Sequence, residues 1–332
     1  MSSKIKFLII RFSSIGDIVL TSPVVRIIKE QIGNSEVHFL TKTEYSFILS
    51  NNPNITKVHS FEKNLTKLIA ELKYEHFDYI IDLHNNIRTR IIKNKLQVPS
   101  FSFNKLNFKK WMFVNFKQNK LPNIHIVDRY INTLHVFDVT NDNKGLDYYI
   151  PKEDEISLPN LDSEYIAFVI GAKHFTKQIP TEKIVEICEK LDFPIVFLGG
   201  KSDEVKSKKI IASLREKRSN LNIFDGCGKY NLNQSASIIK NAKVVITPDT
   251  GLMHIAAAFH KKIISVWGNT VPDFGMYPYL PNEKSVIVEN KNLKCRPCSK
   301  IGFSTCPKKH FKCMADLDST YISDLANKLF KN

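Results

Sequence analysis

AKVVITPDTGLMHIAAAFHKKIISVWG, residues 242–268, reads as strand, turn, helix and strand. The apolar run Ala242 to Thr247 stops at Pro248, Asp249, Thr250 and Gly251, small residues at helical spacing follow, and a second apolar run fills Lys262 to Gly268. Asp249 or Thr250 is placed to cap the first helical N–H groups, and Gly251 keeps bulk away from them. The positive end of the helix is therefore expected to lie open to a phosphate-bearing ligand. Leu252, Ile255, Ala256 and Phe259 form an i, i+3, i+4, i+7 stripe for packing on a sheet, while Thr250 and His254 fall four apart on another face. An ordinary β-α-β unit with a capped helix accounts for the same spacing.

The pattern repeats outward from this stretch. YIAFVIGA (165–172), PIVFLGG (194–200), LNIFDG (221–226) and SVIVEN (285–290) are further strand-like runs with helical patterns between them. Towards the N-terminus, KIKFLIIRF (4–12) suits a central parallel strand, and Ser13, Ser14, Ile15, Gly16 and Asp17 turn it into a helical pattern through Val24, Ile27, Ile28 and Ile32. Then come EVHFLT (36–41), a helix around Tyr45 to Leu49, a strand from Tyr79 ending at Asp82, His84, Asn85, Asn86 and Arg88, and a helix over His125 to Phe137. Alternating strands and helices mean β-α-β units and parallel sheets, with ligands outside the carboxyl ends of the strands. A GxGxxG fingerprint is absent, which leaves a nicotinamide dinucleotide site unsupported.

A chain of 332 residues is long enough for two cores, because single cores rarely grow past about 250–300 residues. The polar stretch Thr140 to Glu155 is the natural linker. Hydrophobic content of 43% and charged content of 24% belong to an ordinary globular protein. Neither a membrane-length apolar run nor a signal-peptide pattern is present, so a cytoplasmic location is expected. The formal charge of +15 calls for an acidic partner, whether nucleic acid, anionic lipid or phosphorylated substrate, although scattered surface lysines produce the same sum.

Two segments admit more than one reading. FSFNKLNFKKWMFVNFKQNK, from Phe101 to Lys120, interleaves aromatics with Lys105, Lys109, Lys110, Lys117 and Lys120, and suits either a lipid-linked phosphosugar at a membrane surface or an amphipathic helix on its own core. Cys295, Cys298, Cys306 and Cys313, with His310 between the last two, have spacing that can bind zinc; redox-sensitive thiols and plain packing are the alternatives.

DTGLMHIAAA, followed by ISVWGNT, and the N-terminal RFSSIGDIVLTSPVVRII together resemble glycosyltransferase family 9, the lipopolysaccharide heptosyltransferases. The resemblance implies a GT-B fold: two Rossmann-like doubly wound domains facing across a cleft, an acceptor domain over 1–150 and a nucleotide-sugar domain over 151–332, with the last helix crossing back. It implies Asp17 as general base, a role open to a carboxylate at a strand-helix turn, where capping its own helix is the competing use. Lys177, in GAKHFTKQIP, takes the family's diphosphate-binding place, although this chain has Ile179 where members often carry an aromatic. Asp249, Thr250, Gly251, Leu252 and His254 would line the donor site, helped by Thr176 and Lys173. Asp203 or, preferably, Glu204 would hold the ribose hydroxyls, Tyr230 would lie against the base, and Gly199 and Gly200 would admit the nucleotide. Acceptor contacts fall on Ser13, Ser14, Gly16, His84, Asn86, Arg88 and Arg129, with the Ser13-Ser14-Gly16 backbone open to a phosphate.

The activity so implied is inverting, metal-independent transfer of a heptose or related sugar from a nucleotide donor, ADP-heptose in the first instance, to a lipid-linked lipopolysaccharide core. The donor is a co-substrate and no cofactor or metal is expected. The protein would be a monomer, without nucleic acid, resting on the anionic cytoplasmic face of the inner membrane. The rival from another class is a non-catalytic basic protein holding nucleic acid or an anionic glycan in the same two-domain shell.

Overall fold

The computed structural model describes residues 4–158 and 164–332; Met1 to Ser3, part of the N-terminus read above, lie outside them. The chain divides into two compact units, Met1–Leu106 with Ile124–Tyr149, and Asn107–Asn123 with Ile150–Asn332.

In the first unit β1 (Ile5–Ile10), β2 (Ser35–Lys42), β3 (Lys57–Phe61), β4 (Tyr79–Asp82) and β5 (Ser100–Ser102) form a sheet of order β3-β2-β1-β4-β5. All of its pairings are parallel. Phe7 to Ile10 have no exposed surface, as a strand covered on both faces requires. Helices α1 (Ile15–Val19), α2 (Ser22–Gln31), α3 (Leu65–Tyr74) and α4 (Ile87–Leu96) fill the crossovers. The chain then enters the second unit through α5 (Asn107–Phe116) and returns at α6 (Ile126–Ile131). Two expected helices are shorter or tighter than their patterns suggest. Residues Thr43–Ile48 form 3₁₀ turns, and α6 gives way to 3₁₀ geometry over Asn132–Phe137.

The second unit has six parallel strands, β6 (Ile166–Val169), β7 (Ile195–Leu198), β8 (Ile223–Asp225), β9 (Val244–Pro248), β10 (Lys262–Trp267) and β11 (Val286–Glu289), in the order β11-β10-β9-β6-β7-β8. Its helices are α7 (Thr181–Cys188), α8 (Glu204–Lys217), α9 (Leu232–Asn241), α10 (Gly251–Ala258), α11 (Lys312–Ala315) and α12 (Ser319–Lys331).

Three departures from the expected domain plan follow from packing. Residues 107–123 lie with the second unit although they fall inside 1–150, because Phe113 meets Phe274 edge to face at 5.9 Å and Lys117 Nζ donates to the Cys295 and Pro297 carbonyls. The last helix was expected to return to the first domain. Instead, Ile322, Ala326, Leu329 and Phe330 join the second unit's core, with Phe330 stacked on Phe193 at 3.7 Å. The linker, finally, is fastened along its length. Asp142, Gly145 and Asp147 receive the Arg26 guanidinium, while Asp154 accepts from Asn231 and Asn233.

Arg26 is 4% exposed, and burial alone would lower its pKa; hydrogen bonding to Asp142 and the charge of Asp147 reverse that and hold it raised. Removing one partner of a buried ionic cluster strands the others. Arg26→Ala should therefore destabilise the protein by about 3–5 kcal/mol in a denaturant titration. A loss within the scatter of surface substitutions would show that the linker contacts are dispensable.

Candidate functional site

In an open parallel sheet the two strands from which the chain winds in opposite directions leave a gap at their carboxyl ends, and ligands settle there. The first unit reverses between β1 and β4, the second between β6 and β9. The residues following these four strands include Asp17, His84, Lys177 and Asp249, all singled out by sequence.

After β1, Asp17 is the focus of the first cluster. Its Oδ1 lies 2.6 Å from Arg11 Nη2, and its Oδ2 accepts from the Ser14 amide at 3.1 Å and the Ser14 hydroxyl at 2.8 Å. The carboxylate therefore does cap its own helix. Its side chain nevertheless remains 19% exposed, and each carboxylate oxygen has two acceptor directions, so capping and proton abstraction are compatible.

Arg11 was not singled out, yet it organises the cluster. Its Nε donates to the Ser13 carbonyl at 2.8 Å, and its Nη1 donates to the Leu83 carbonyl at 2.6 Å and to Tyr130 Oη at 3.0 Å. Burial alone would depress its pKa, but Asp17 and Tyr130 leave it raised, so the cation facing Asp17 is permanent. The available signal was a charged residue closing an otherwise apolar central strand.

After β4 the chain makes a tight turn on Asp82. Asp82 Oδ1 accepts from the His84 amide at 3.0 Å and the Asn85 amide at 2.7 Å, while its Oδ2 faces Lys93 Nζ at 2.9 Å. His84 packs edge-on against Phe12, and burial, helped by Arg11 and Lys105, pushes its pKa down to about 4. It is a neutral hydrogen-bonding ring at pH 7, not a cation for an acidic acceptor.

Three of the groups expected at the acceptor already have local partners. Asn86 Oδ1 caps α4 by accepting the Thr89 amide at 3.0 Å, the Ser14 amide is taken by Asp17, and the Ser13 carbonyl by Arg11. Of the Ser13-Ser14-Gly16 backbone, the Ser14 amide is thus engaged within the turn, and Gly16 is buried. Arg88 stays exposed over the Phe61 ring at 5.9 Å, and Arg129 reaches the Asn104 carbonyl at 3.3 Å.

In the second unit Lys177, from the 3₁₀ turn Phe175–Lys177 after β6, meets Asp249, just after β9. Lys177 Nζ lies 2.6 Å from Asp249 Oδ2, which also accepts from Thr270 Oγ1 at 2.9 Å. Strand adjacency explains a contact across 72 residues, because β6 and β9 are neighbours in register. Beyond Asp249, Thr250 takes the extended N-cap conformation without a side-chain cap bond. The expectation that Asp249 or Thr250 caps α10 does not hold. Among the described residues no acceptor meets the Gly251 and Leu252 amides, and both residues are half-buried rather than covered.

α10 is nevertheless apolar nearly all round. Met253, Ile255, Ala256 and Ala257 have no exposed surface and His254 has 2%, so His254 lies inside the packing and not on an open binding face. Thr176 is also committed. Its hydroxyl accepts the Phe303 amide at 2.9 Å and lies 3.3 Å from the Phe303 carbonyl, at 1% exposure.

Asp203 and Glu204 separate cleanly. Asp203 is buried and accepts the Gly200 amide at 2.9 Å, and a Cβ on Gly171 would stand 2.1 Å from its Oδ2. Gly171 at the end of β6 and Gly199 at the end of β7 thus make room for the Asp203 side chain. Glu204, the first residue of α8, lies against Gly228, whose φ of +72° and missing Cβ both suit glycine. Its carboxylate has no hydrogen bond among the described residues. Tyr230 stacks loosely on Phe224 at 6.4 Å, and burial raises its pKa.

Arg296 is the second residue that sequence reasoning passed over. Buried, it donates to the Gly268, Asn290 and Thr270 carbonyls and to Glu289 Oε2 at 2.9 Å, and so fixes the loop carrying Thr270 behind Asp249. In sequence its mark is its place between Cys295 and Pro297 in C-R-P-C. All six cysteines are free thiols. Cys298 is raised to about 11 by burial and Cys295, and Cys313 to about 12 by burial; Cys295 Sγ is 3.9 Å from His310 Nε2.

Chemically, the first unit offers an oriented carboxylate with a fixed counter-cation. The second offers an ammonium beside two unclaimed helix-end amides, an arrangement suited to an anion.

Comparison with known proteins gives consistent results. Residues 65–307 match the sequence model of glycosyltransferase family 9 (heptosyltransferase). Lipopolysaccharide heptosyltransferase 1 of Campylobacter coli is 25% identical over 354 residues, covering 98% of this chain and 99% of its own. A glycosyl transferase family 9 structure from Veillonella parvula DSM 2008 superposes with a TM-score of 0.77 at 20% identity, covering 100% of this chain and 98% of the other. E. coli ADP-heptose lps heptosyltransferase II superposes with a TM-score of 0.76 at 19% identity, covering 98% and 99%. The fold, two parallel-sheet α/β units, is GT-B.

Proposed function

The chain belongs to glycosyltransferase family 9 and is a glycosyltransferase, and from that premise we propose that it moves a heptose from ADP-heptose to a lipopolysaccharide core acceptor with inversion at the anomeric carbon. The observation that carries this reading is the Lys177–Asp249 pair beside the unclaimed Gly251 and Leu252 amides at the β6/β9 switch point. Similarity to a lipopolysaccharide heptosyltransferase and to an ADP-heptose heptosyltransferase supports this choice of sugar and acceptor.

In the proposed reaction Asp17 takes the proton from an acceptor hydroxyl as that oxygen attacks the anomeric carbon. The bond from that carbon to the diphosphate breaks, and the electron pair leaves with ADP. Lys177 and the helix-end amides meet the charge that grows on the leaving diphosphate, and Asp249 holds Lys177 in place. Glu204 accepts from the ribose hydroxyls and Tyr230 lies against the base. His84, Arg88 and Arg129 are the proposed acceptor contacts.

The test is the full chain incubated with ADP-heptose and a core acceptor, read by product mass. A heptose-sized mass gain is expected, together with thermal stabilisation by ADP of about 2.7 kcal/mol at a concentration a hundred times its Kd. No mass gain together with stabilisation by UDP or GDP and not ADP would overturn the donor; a salt-sensitive response to RNA with no nucleotide effect would restore the basic binding protein.

Among the described residues no helix is long and apolar enough to cross a membrane. Peripheral contact with anionic lipid is the proposed alternative, on the outer face of α5. None of its residues is buried, and Phe108, Trp111 and Phe116 are 73%, 50% and 56% exposed amid lysines. Aromatic rings with neighbouring cations suit the lipid headgroup layer. The protein should sediment with anionic vesicles, and Trp111→Ala should leave more of it in the supernatant; equal sedimentation of the variant would remove α5 as the contact.

A further inference from the structure

Away from both switch points, β2 and β3 carry two buried histidines on one sheet face. Register pairs His38 with Lys57 and Leu40 with His59, which sets the two imidazoles side by side. His38 is 2% exposed and His59 6%, and Phe77 stands edge-on to both rings at 5.1 and 6.0 Å. His38 Nδ1 is 2.9 Å from His59 Nε2 and 3.9 Å from Oε2 of Glu75, the C-cap of α3. These three ligand atoms lie within 4.8 Å of one another.

We propose that His38, His59 and Glu75 bind a divalent transition-metal ion of the zinc class, a site separate from sugar transfer. Bonds of about 2.0–2.1 Å at tetrahedral angles place neighbouring ligand atoms a little over about 3 Å apart, so the observed separations accept an ion after shifts of less than about 1 Å. Two imidazoles and a carboxylate are the donor set that selects zinc, copper, nickel or cobalt over magnesium or calcium.

Outer contacts support the reading beyond mere proximity. His38 Nε2 faces Glu36 Oε1 at 3.4 Å, the carboxylate-behind-imidazole arrangement that fixes a metal-binding ring in one tautomer. Glu75 holds its other oxygen, Oε1, 2.5 Å from Lys57 Nζ, and Lys57 is 56% exposed. The competing cation can therefore move into water as the ion arrives. Glu75 is 15% exposed at its side chain, which supplies an entry path and a fourth position for water. Bound there, the ion would join β2, the edge strand β3 and the end of α3.

A hydrogen bond between the two rings is the plain alternative, and one experiment separates them. The full chain, stripped with chelator, is titrated with Zn²⁺ and examined by zinc X-ray absorption, both as it stands and in a Cys295→Ser/Cys298→Ser background that removes competing thiolates. One zinc with a nitrogen and oxygen shell at about 2.0–2.1 Å, not sulfur at about 2.3 Å, is expected in both. Glu75→Gln should weaken binding by about 10- to 100-fold while melting cooperatively, and His59→Asn should abolish it. Because His59 is buried, Glu75→Gln is the deciding variant. No bound zinc, an all-sulfur shell, equal affinity in Glu75→Gln, or equal occupancy by Mg²⁺ would each overturn the proposal. None of these readouts depends on sugar transfer.

Discussion

Asp17→Asn should lower kcat for sugar transfer by about 10²- to 10⁴-fold, the contribution typical of a positioned general base. Donor affinity, read as the thermal shift produced by ADP-heptose, should stay within about threefold, because Asp17 and the Lys177–Asp249 pair lie in different units. The substitution keeps shape and one acceptor oxygen but removes the negative charge opposite a buried guanidinium. Arg11 retains the Ser13 and Leu83 carbonyls and Tyr130 Oη as acceptors, so the variant should fold with a reduced Tm. A merely structural Asp17 would show the Tm loss without the collapse in kcat at full donor saturation. Turnover within about tenfold of the parent would remove it as the base.

Lys177→Ala should cost about 10²–10³ in kcat/KM, the scale seen when one preorganised electrostatic group is taken from a developing negative charge. The loss has two parts. The ammonium is gone, and Asp249 is left as an uncompensated anion, still hydrogen-bonded to Thr270, beside the proposed diphosphate position. A double-mutant cycle with Asp249→Asn separates them. If Asp249 serves chiefly to hold Lys177, the double variant should be no worse than Lys177→Ala, and Asp249→Asn alone should be milder. Strictly additive losses would give Asp249 a role independent of Lys177. A Lys177→Ala enzyme within about threefold of the parent would mean that the diphosphate is met elsewhere.

Much of the candidate site was legible because it follows strand ends. Apolar runs such as Phe7 to Ile10 and Val244 to Ile246 mark strands covered on both faces, and the polar residues that stop them mark carboxyl ends, where ligands gather. What could not be read was which polar atoms are already spent. Thr176, Asn86 and Asp203 have the right chemistry at the right places, and each is engaged by a backbone amide: Asn86 and Asp203 by the nearby Thr89 and Gly200, Thr176 by the sequence-distant Phe303. Gly199 reads as room for a nucleotide, yet a Cβ there would stand 2.8 Å from the Asp203 side chain. His254 fits a binding face by period, but α10 is enclosed on more sides than a period reveals.

By itself the sequence determined the two parallel-sheet units, their strand ends and the turns that bear Asp17, Lys177 and Asp249, because alternation of apolar runs and the residues that interrupt them are local properties of a chain. Tertiary structure alone decided that Arg11 faces Asp17, that Lys177 meets Asp249, that α5 and α12 belong to the second unit and that two distant histidines meet Glu75. The reason is that strand order brings together residues remote in sequence. Burial then settles whether a charge or a ring nitrogen finds its partner inside the protein or remains free for a ligand.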